Sequence, residues 1–141
     1  MPTPSEKTVP ETILVVEDVA IVLRVVTKIL KRAGFTVLSA STSSEASDFV
    51  ANFPGPIQLL ISDVEMPDIP GPDLAIKLRT IRPELRVILM SGHADGALLV
   101  LNYGWHFMRK PFLASLLVAT VRDVLADVSR EQSPDRFDTR L

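Results

Sequence analysis

Five short apolar runs punctuate the chain: Ile13–Val16, Val37–Ala40, Ile57–Ile61, Val87–Met90 and Trp105–Met108. Several are continuous rather than alternating, the pattern of strands buried on both faces of a parallel sheet. Periodicity alone does not separate such runs from short buried helical segments, so the stretches between them decide. From Val19 to Ala33, the residues Val22, Val25, Val26, Ile29, Leu30 and Ala33 make a helical stripe, with Arg24, Lys28, Lys31 and Arg32 on the other side. Gly34 follows as a stop.

A second helix is expected from Thr42, with Glu45 placed for a capping box and Ala46, Phe49, Val50 and Phe53 as its stripe. Pro54-Gly55 ends it. A third starts near Gly71-Pro72, carries Leu74, Leu78 and Ile81, and closes at Pro83. A short, weak stretch at Ala94–Asn102 comes fourth, with Gly96 inside it. The last, Leu113–Val128, presents Leu113, Leu116, Leu117, Val121, Val124, Leu125 and Val128. A strand-helix unit repeated in this way predicts an α/β fold, a doubly wound parallel sheet with helices on both faces.

Length allows one domain with a real core, at 141 residues. That domain is expected over 12–128, between a flexible N-terminal segment (1–11) and a flexible polar tail (129–141). With a formal net charge of -2, a strongly basic nucleic-acid surface is not expected. No cysteine is present, which removes disulfides, thiol nucleophiles and cysteine-ligated metals. The first residues lack the apolar core of a signal peptide, and no apolar stretch is long enough to span a bilayer. A cytoplasmic setting is therefore expected, with no membrane contact.

In open sheets of this kind, ligands bind at the carboxyl ends of the strands, near the topological switch point. The residues just past each run are Glu17-Asp18 after the first, Asp63 after the third, Ser91 after the fourth, and Lys110 then Pro111 after the fifth. Three acids, a hydroxyl and a lysine thus converge on one edge. Each like-charged pair at about 4 Å, with an effective dielectric near 20, costs roughly 4 kcal/mol. A cation must offset this: Lys110, or a hard divalent ion such as Mg²⁺. Such a site suits phosphoryl transfer to an aspartate, whose carboxylate needs no general base. Read one at a time, these residues have plainer roles. Glu17-Asp18 would suit a helix N-cap, Asp63 a loop acid, Ser91 turn chemistry, and Lys110 a surface lysine.

The segments ILVVED (13–18), LLISDVEMPDIPG (59–71), VILMSGH (87–93) and FMRKPF (107–112) resemble the receiver domain of response regulators. Each is weak alone; four in order, each at a strand end, are highly specific. The resemblance runs from about Ile13 to Val128. It implies a flavodoxin-like (βα)5 fold with strand order 2-1-3-4-5. It also implies that Asp63 accepts a phosphoryl group from a sensor histidine kinase or a histidine phosphotransfer protein, with Mg²⁺ or Mn²⁺ as cofactor.

Matched residue by residue, Glu17 and Asp18 are the acidic pair that holds the metal, Asp18 being the more direct ligand. Glu65 supplies a backbone carbonyl to the metal. Ser91 is the switch hydroxyl, Lys110 pairs with the phosphoryl group, and Pro111 follows in a cis peptide. Phe107 is the aromatic whose rotamer couples to Ser91, although a plain core role fits it equally. Readout in the family uses the segment after the fourth strand, the fifth strand and the last helix.

The chain departs from the pattern in two places. Val19 stands where a third acid often follows, and the Ser91–Lys110 stretch is a few residues short. No attached output domain is expected within these 141 residues, so a downstream protein partner is expected rather than direct nucleic-acid binding. A homodimer through Leu113–Val118 is one reading of that apolar excess; deep burial is the other. His93 and His106 are expected to be structural or surface residues, and Tyr103 and Trp105 to pack.

Three alternatives remain at this level. A receiver-like interaction module working without phosphorylation would be favoured by the shortened segment. A phosphatase with an aspartyl-phosphate intermediate would use Glu65, two residues past Asp63, as acid/base, but it would need a cap domain. A flavin site would need a Ser/Thr/Gly-rich phosphate cradle after the first strand, which is lacking. The leading expectation is a signalling domain, not a turnover enzyme.

Overall fold

Burial of the apolar runs organises the molecule into a central sheet. A computed structural model describes residues 9–93 and 104–127. In chain order the elements are β1 (Thr12–Val16), α1 (Ala20–Arg32), β2 (Thr36–Ala40), α2 (Ser43–Asn52), β3 (Leu59–Asp63), α3 (Gly71–Ile81), β4 (Arg86–Ser91), β5 (His106–Arg109) and α4 (Ala114–Ala126). The expected helix at Ala94–Asn102 lies outside the described residues, as do 1–8 and the tail.

All strand pairs are parallel, in the order β2-β1-β3-β4-β5. This is the expected flavodoxin-like arrangement. Alternate residues of each strand feed two cores. Leu14, Val16, Leu60, Val87 and Leu89 pack with α2 and α3 residues such as Val50, Leu74 and Leu78. Ile13, Val15, Ile61, Ile88 and Met90 pack with Val26 and Leu30 of α1 and with Leu117, Val121 and Val124 of α4. Among the described residues two helices cover each face, and burial on both sides is why the strands read as continuous apolar runs.

The ends of the elements depart from the sequence pattern for physical reasons. The third strand is Leu59–Asp63, not Ile57–Ile61. Ser62 and Asp63 are polar yet buried, and Asp63 still pairs with Met90, so the ladder outlasts the apolar run. The fifth strand is shifted one residue later, because Arg109 pairs with Ser91. Ile81 is half exposed, and Ala75 fills the core beside Leu74 and Leu78 instead. On the first and last helices, Val25, Leu113 and Leu116 also face outward.

Two helix ends follow the local chemistry closely. Gly34 takes φ 103°, a left-handed conformation that suits glycine after a helix, and Phe35 N–H reaches back to Leu30 O at 3.1 Å. Thr42 Oγ1 caps α2 by accepting from Glu45 N–H at 3.1 Å. The Glu45 carboxylate reaches one residue further back than a standard capping box, to Ser41 N–H at 2.7 Å.

Candidate functional site

The carboxyl ends of β1, β3, β4 and β5 meet at one edge of the sheet, and each contributes a polar residue where its apolar run stops. Glu17 follows β1 and Asp63 closes β3; both are buried. Lys110 follows β5, and its N–H donates to Ser91 O at 2.8 Å, which ties the end of β5 to the end of β4. Its side chain turns inward, with Nζ 2.8 Å from Asp63 Oδ1 and 3.0 Å from Glu17 Oε1. The next peptide bond, Lys110–Pro111, is cis.

Glu17 also accepts from Val19 N–H through Oε2 at 3.0 Å. The entry to α1 is thus held by Glu17, and Val19 at the N-cap position makes no side-chain cap. Asp18 is exposed at the mouth of the site. One carboxylate oxygen from each of Glu17, Asp18 and Asp63 lies within 4.8 Å of the others. Among the described residues, this is the one such cluster of acids or histidines.

Burial of three neighbouring charges shows in their proton affinities. Burial pushes the Asp63 carboxyl up to about 7 from 3.8, and the adjacent Glu17 carboxyl adds to the rise; Lys110 opposes both and does not cancel them. Glu17 is buried too, which by itself would raise it. Hydrogen bonding with Asp63, the Val19 N–H and Lys110 outweighs that and holds Glu17 below its ordinary value. For Lys110, burial is outweighed by its contacts with Asp63 and Glu17, so its ammonium is held more firmly than usual. Near neutral pH Glu17 is therefore ionised, while Asp63 is only partly so.

Asp63 Oδ1 is buried and has no aligned hydrogen-bond donor among the described residues, despite the nearby ammonium. With three carboxylates and no softer donor beside them, the site fits a hard divalent cation. The pocket can thus present an oxygen nucleophile flanked by cationic charge.

The other expected residues are placed as follows. Ser91, fully buried at the end of β4, directs its one hydroxyl proton at the Glu65 carboxylate, whose two oxygens lie 3.1 and 3.0 Å from Oγ. The Glu65 side chain is thus held and does not simply project into water. Phe107 lies on β5 opposite Leu89 and packs, half-buried, against the core under α2 and α3. Trp105 packs against that same core, and the backbone N–H of His93 donates to Ser91 Oγ at 2.9 Å. Tyr103 lies outside the described residues.

Gly71 is a site residue that the sequence pattern reads only as a helix start. A Cβ there would stand 1.9 Å from the carbonyl oxygen of Asp63. Its N–H also donates to Val64 O at 2.7 Å. The available signal was a glycine at a first helical turn, where better helix formers were open to the chain.

The family model for the response regulator receiver domain matches residues 13–122. Sensor kinase CckA of Brucella abortus is 33% identical over 117 residues, covering 81% of this chain and 12% of that protein. The DNA-binding transcriptional regulator NtrC of Azospirillum brasilense is 35% identical over 119 residues, covering 81% of this chain and 24% of that protein. The chain therefore spans a quarter or less of these relatives. Among solved structures, the receiver domain of hybrid histidine kinase CckA superposes with a TM-score of 0.70 at 35% identity, covering 81% of this chain and 98% of that one. A response regulator receiver domain protein from Clostridium thermocellum gives 0.73 at 30% identity, covering 82% and 94%.

Proposed function

Because the chain belongs to the response regulator receiver domain family of two-component systems, we propose that it accepts a phosphoryl group on Asp63 from a phosphohistidine and signals through the resulting change in conformation. The observation that carries this reading is the buried Asp63 carboxylate with Lys110 Nζ 2.8 Å away and two further acids beside it.

In the transfer, a carboxylate oxygen of Asp63 attacks phosphorus and the N–P bond of the donor breaks. The electron pair leaves on the imidazole nitrogen, which takes a proton from solvent. Asp63 must be ionised to attack, and at neutral pH its own environment leaves it partly protonated. Lys110 favours the ionised form and sits where it can meet charge developing on the phosphoryl oxygens. Ser91 supplies a hydroxyl donor at the edge of the site. Glu17, Asp18 and Asp63, with the Glu65 backbone carbonyl, would hold Mg²⁺ or Mn²⁺. When bound, that ion supplies positive charge that lowers the proton affinity of Asp63 and neutralises the transferring group. This is a signalling step rather than turnover of a separate substrate.

A sensor histidine kinase or phosphotransfer protein is the proposed donor. Beside Lys110 and Pro111 lies an apolar groove of about 460 Å³, floored by Ile21, Val22, Val25 and Phe112. An apolar surface against the site supports docking of a protein that carries its phosphohistidine to Asp63. No helix among the described residues is long and apolar enough to cross a membrane.

The test is intact-mass spectrometry after incubation with acetyl phosphate and Mg²⁺. One phosphoryl mass is expected on the wild type and none on Asp63→Asn. A folded wild type that gains no mass would overturn the reading and favour a phosphorylation-independent interaction module.

A further inference from the structure

Ser91 closes β4 with no exposed surface, and its hydroxyl both donates and accepts. The oxygen accepts from His93 N–H at 2.9 Å, and the proton is directed at the Glu65 carboxylate, 3.1 and 3.0 Å away. A hydroxyl has one proton to donate. If Asp63 carries a phosphoryl group, an oxygen of that group needs the same proton. Two acceptors then compete for one donor, and both are anionic, so neither bond is trivially weak.

The backbones around this pair are pinned. Lys110 N–H holds Ser91 O at 2.8 Å, and Val64 N–H holds Met90 O at 2.8 Å. On the other side, Gly71 N–H holds Val64 O at 2.7 Å. Exchange of the Ser91 proton between acceptors is therefore a side-chain event. Glu65 is rooted at an exposed position, so its carboxylate has water to enter once the bond to Ser91 is given up.

We propose that Glu65 is a positioning residue whose carboxylate holds the Ser91 hydroxyl in the unphosphorylated protein, and so sets how tightly the site takes a phosphoryl group. The proposal rests on Asp63 being the phosphoacceptor and deepens that reading. It differs from simple repulsion of an incoming anion by Glu65, because repulsion needs no Ser91 and the hold does.

The test is a double-mutant cycle on the full chain: wild type, Glu65→Ala, Ser91→Ala and the double variant. Affinity for beryllofluoride, a phosphoryl mimic, is measured calorimetrically with Mg²⁺. Glu65→Ala should tighten binding about tenfold, the order of one charge-assisted hydrogen bond. In the Ser91→Ala background, the same change should alter affinity by less than about twofold. Glu65→Gln keeps an acceptor oxygen without the charge and should fall between wild type and Glu65→Ala. Unchanged affinity in Glu65→Ala, or an equal gain with and without Ser91, would overturn the proposal.

Urea denaturation of the same four proteins without ligand reads the hold directly, since the two positions must be energetically coupled. Additive effects would also overturn the proposal, whether or not the mimic binds. Failure of all four proteins to take up beryllofluoride, despite coupling, would instead overturn the phosphoacceptor reading and this proposal with it.

Discussion

Gly71 packs its bare Cα against the carbonyl of Asp63, so closely that a Cβ would stand 1.9 Å from that oxygen and 2.9 Å from its carbon. Two effects oppose each other when Gly71 becomes alanine. Helix propensity favours alanine by about 0.5–1 kcal/mol. Steric overlap with backbone, which cannot swing aside as a side chain would, costs about 1–3 kcal/mol. The overlap should win. Gly71→Ala is expected to lower the urea midpoint and to slow labelling by acetyl phosphate. A raised midpoint would contradict this placement of α3 against β3.

Arg82 ties the end of α2 to the end of α3. Its guanidinium donates to Val50 O at 2.9 Å, Gly55 O at 2.7 Å and Phe53 O at 2.7 Å. These carbonyls lie where a helix leaves its last acceptors unpaired. Arg82→Ala should cost about 2–3 kcal/mol in a denaturation experiment, the scale of hydrogen bonds to a charged donor. Arg82→Lys should recover less than half of that, because an ammonium cannot span the three oxygens as a planar fork does.

The raised proton affinity of Asp63 gives stability a pH dependence. Its folded value is about 7 against an ordinary 3.8, so the folded state binds the proton more tightly than the unfolded chain does. Between those limits the folded state holds more protons, and stability falls as pH rises, by at most about 1.4 kcal/mol per pH unit. Glu17, held below its ordinary 4.5, acts in the opposite sense only at lower pH. In EDTA, the melting temperature should therefore decline from pH 5 to pH 8. Asp63→Asn should flatten that slope and melt higher than wild type at pH 8. Added Mg²⁺ should restore much of the wild-type stability at pH 8. A large drop in stability for Asp63→Asn in EDTA would contradict the carboxylate strain inferred here.

Lys110 offsets Glu17 and Asp63, whose side chains are 0% and 5% exposed. Removing one partner of a buried charged group leaves the rest uncompensated, at about 3–5 kcal/mol. Lys110→Ala should thus be costly at pH 8 without Mg²⁺. At pH 5, where Asp63 carries a proton, the loss should shrink. Equal losses at both pH values would indicate that Lys110 matters for packing alone.

Much of this was legible along the chain, and the exceptions have causes. Val26, Leu30, Leu74, Leu78, Leu117 and Val121 were assigned to helix stripes and are buried. Ile81, Leu113 and Leu116 belong to the same stripes and are half or more exposed. Each lies in the end turn of its helix or at its cap, where fewer neighbours cover the stripe. Ser62 and Asp63 were left off the third strand because apolar patterning cannot see a polar residue that a site keeps buried. Arg82 gave no signal, since its partners are 27 to 32 residues away.

The order of the elements, the parallel sheet and the set of polar residues at the strand ends were determined by the sequence itself. Hydrophobic periodicity reports which side of an element is buried, and in four of the five runs a site residue stands one or two positions past the stop. Tertiary packing alone decided which of those residues touch. Glu17 and Lys110 are 93 positions apart yet 3.0 Å from each other. The raised proton affinity of Asp63, the bond between Ser91 and Glu65 and the bare approach of Gly71 all depend on distances of that kind. No local pattern encodes such distances, because they arise only when strands far apart in the chain close into one sheet.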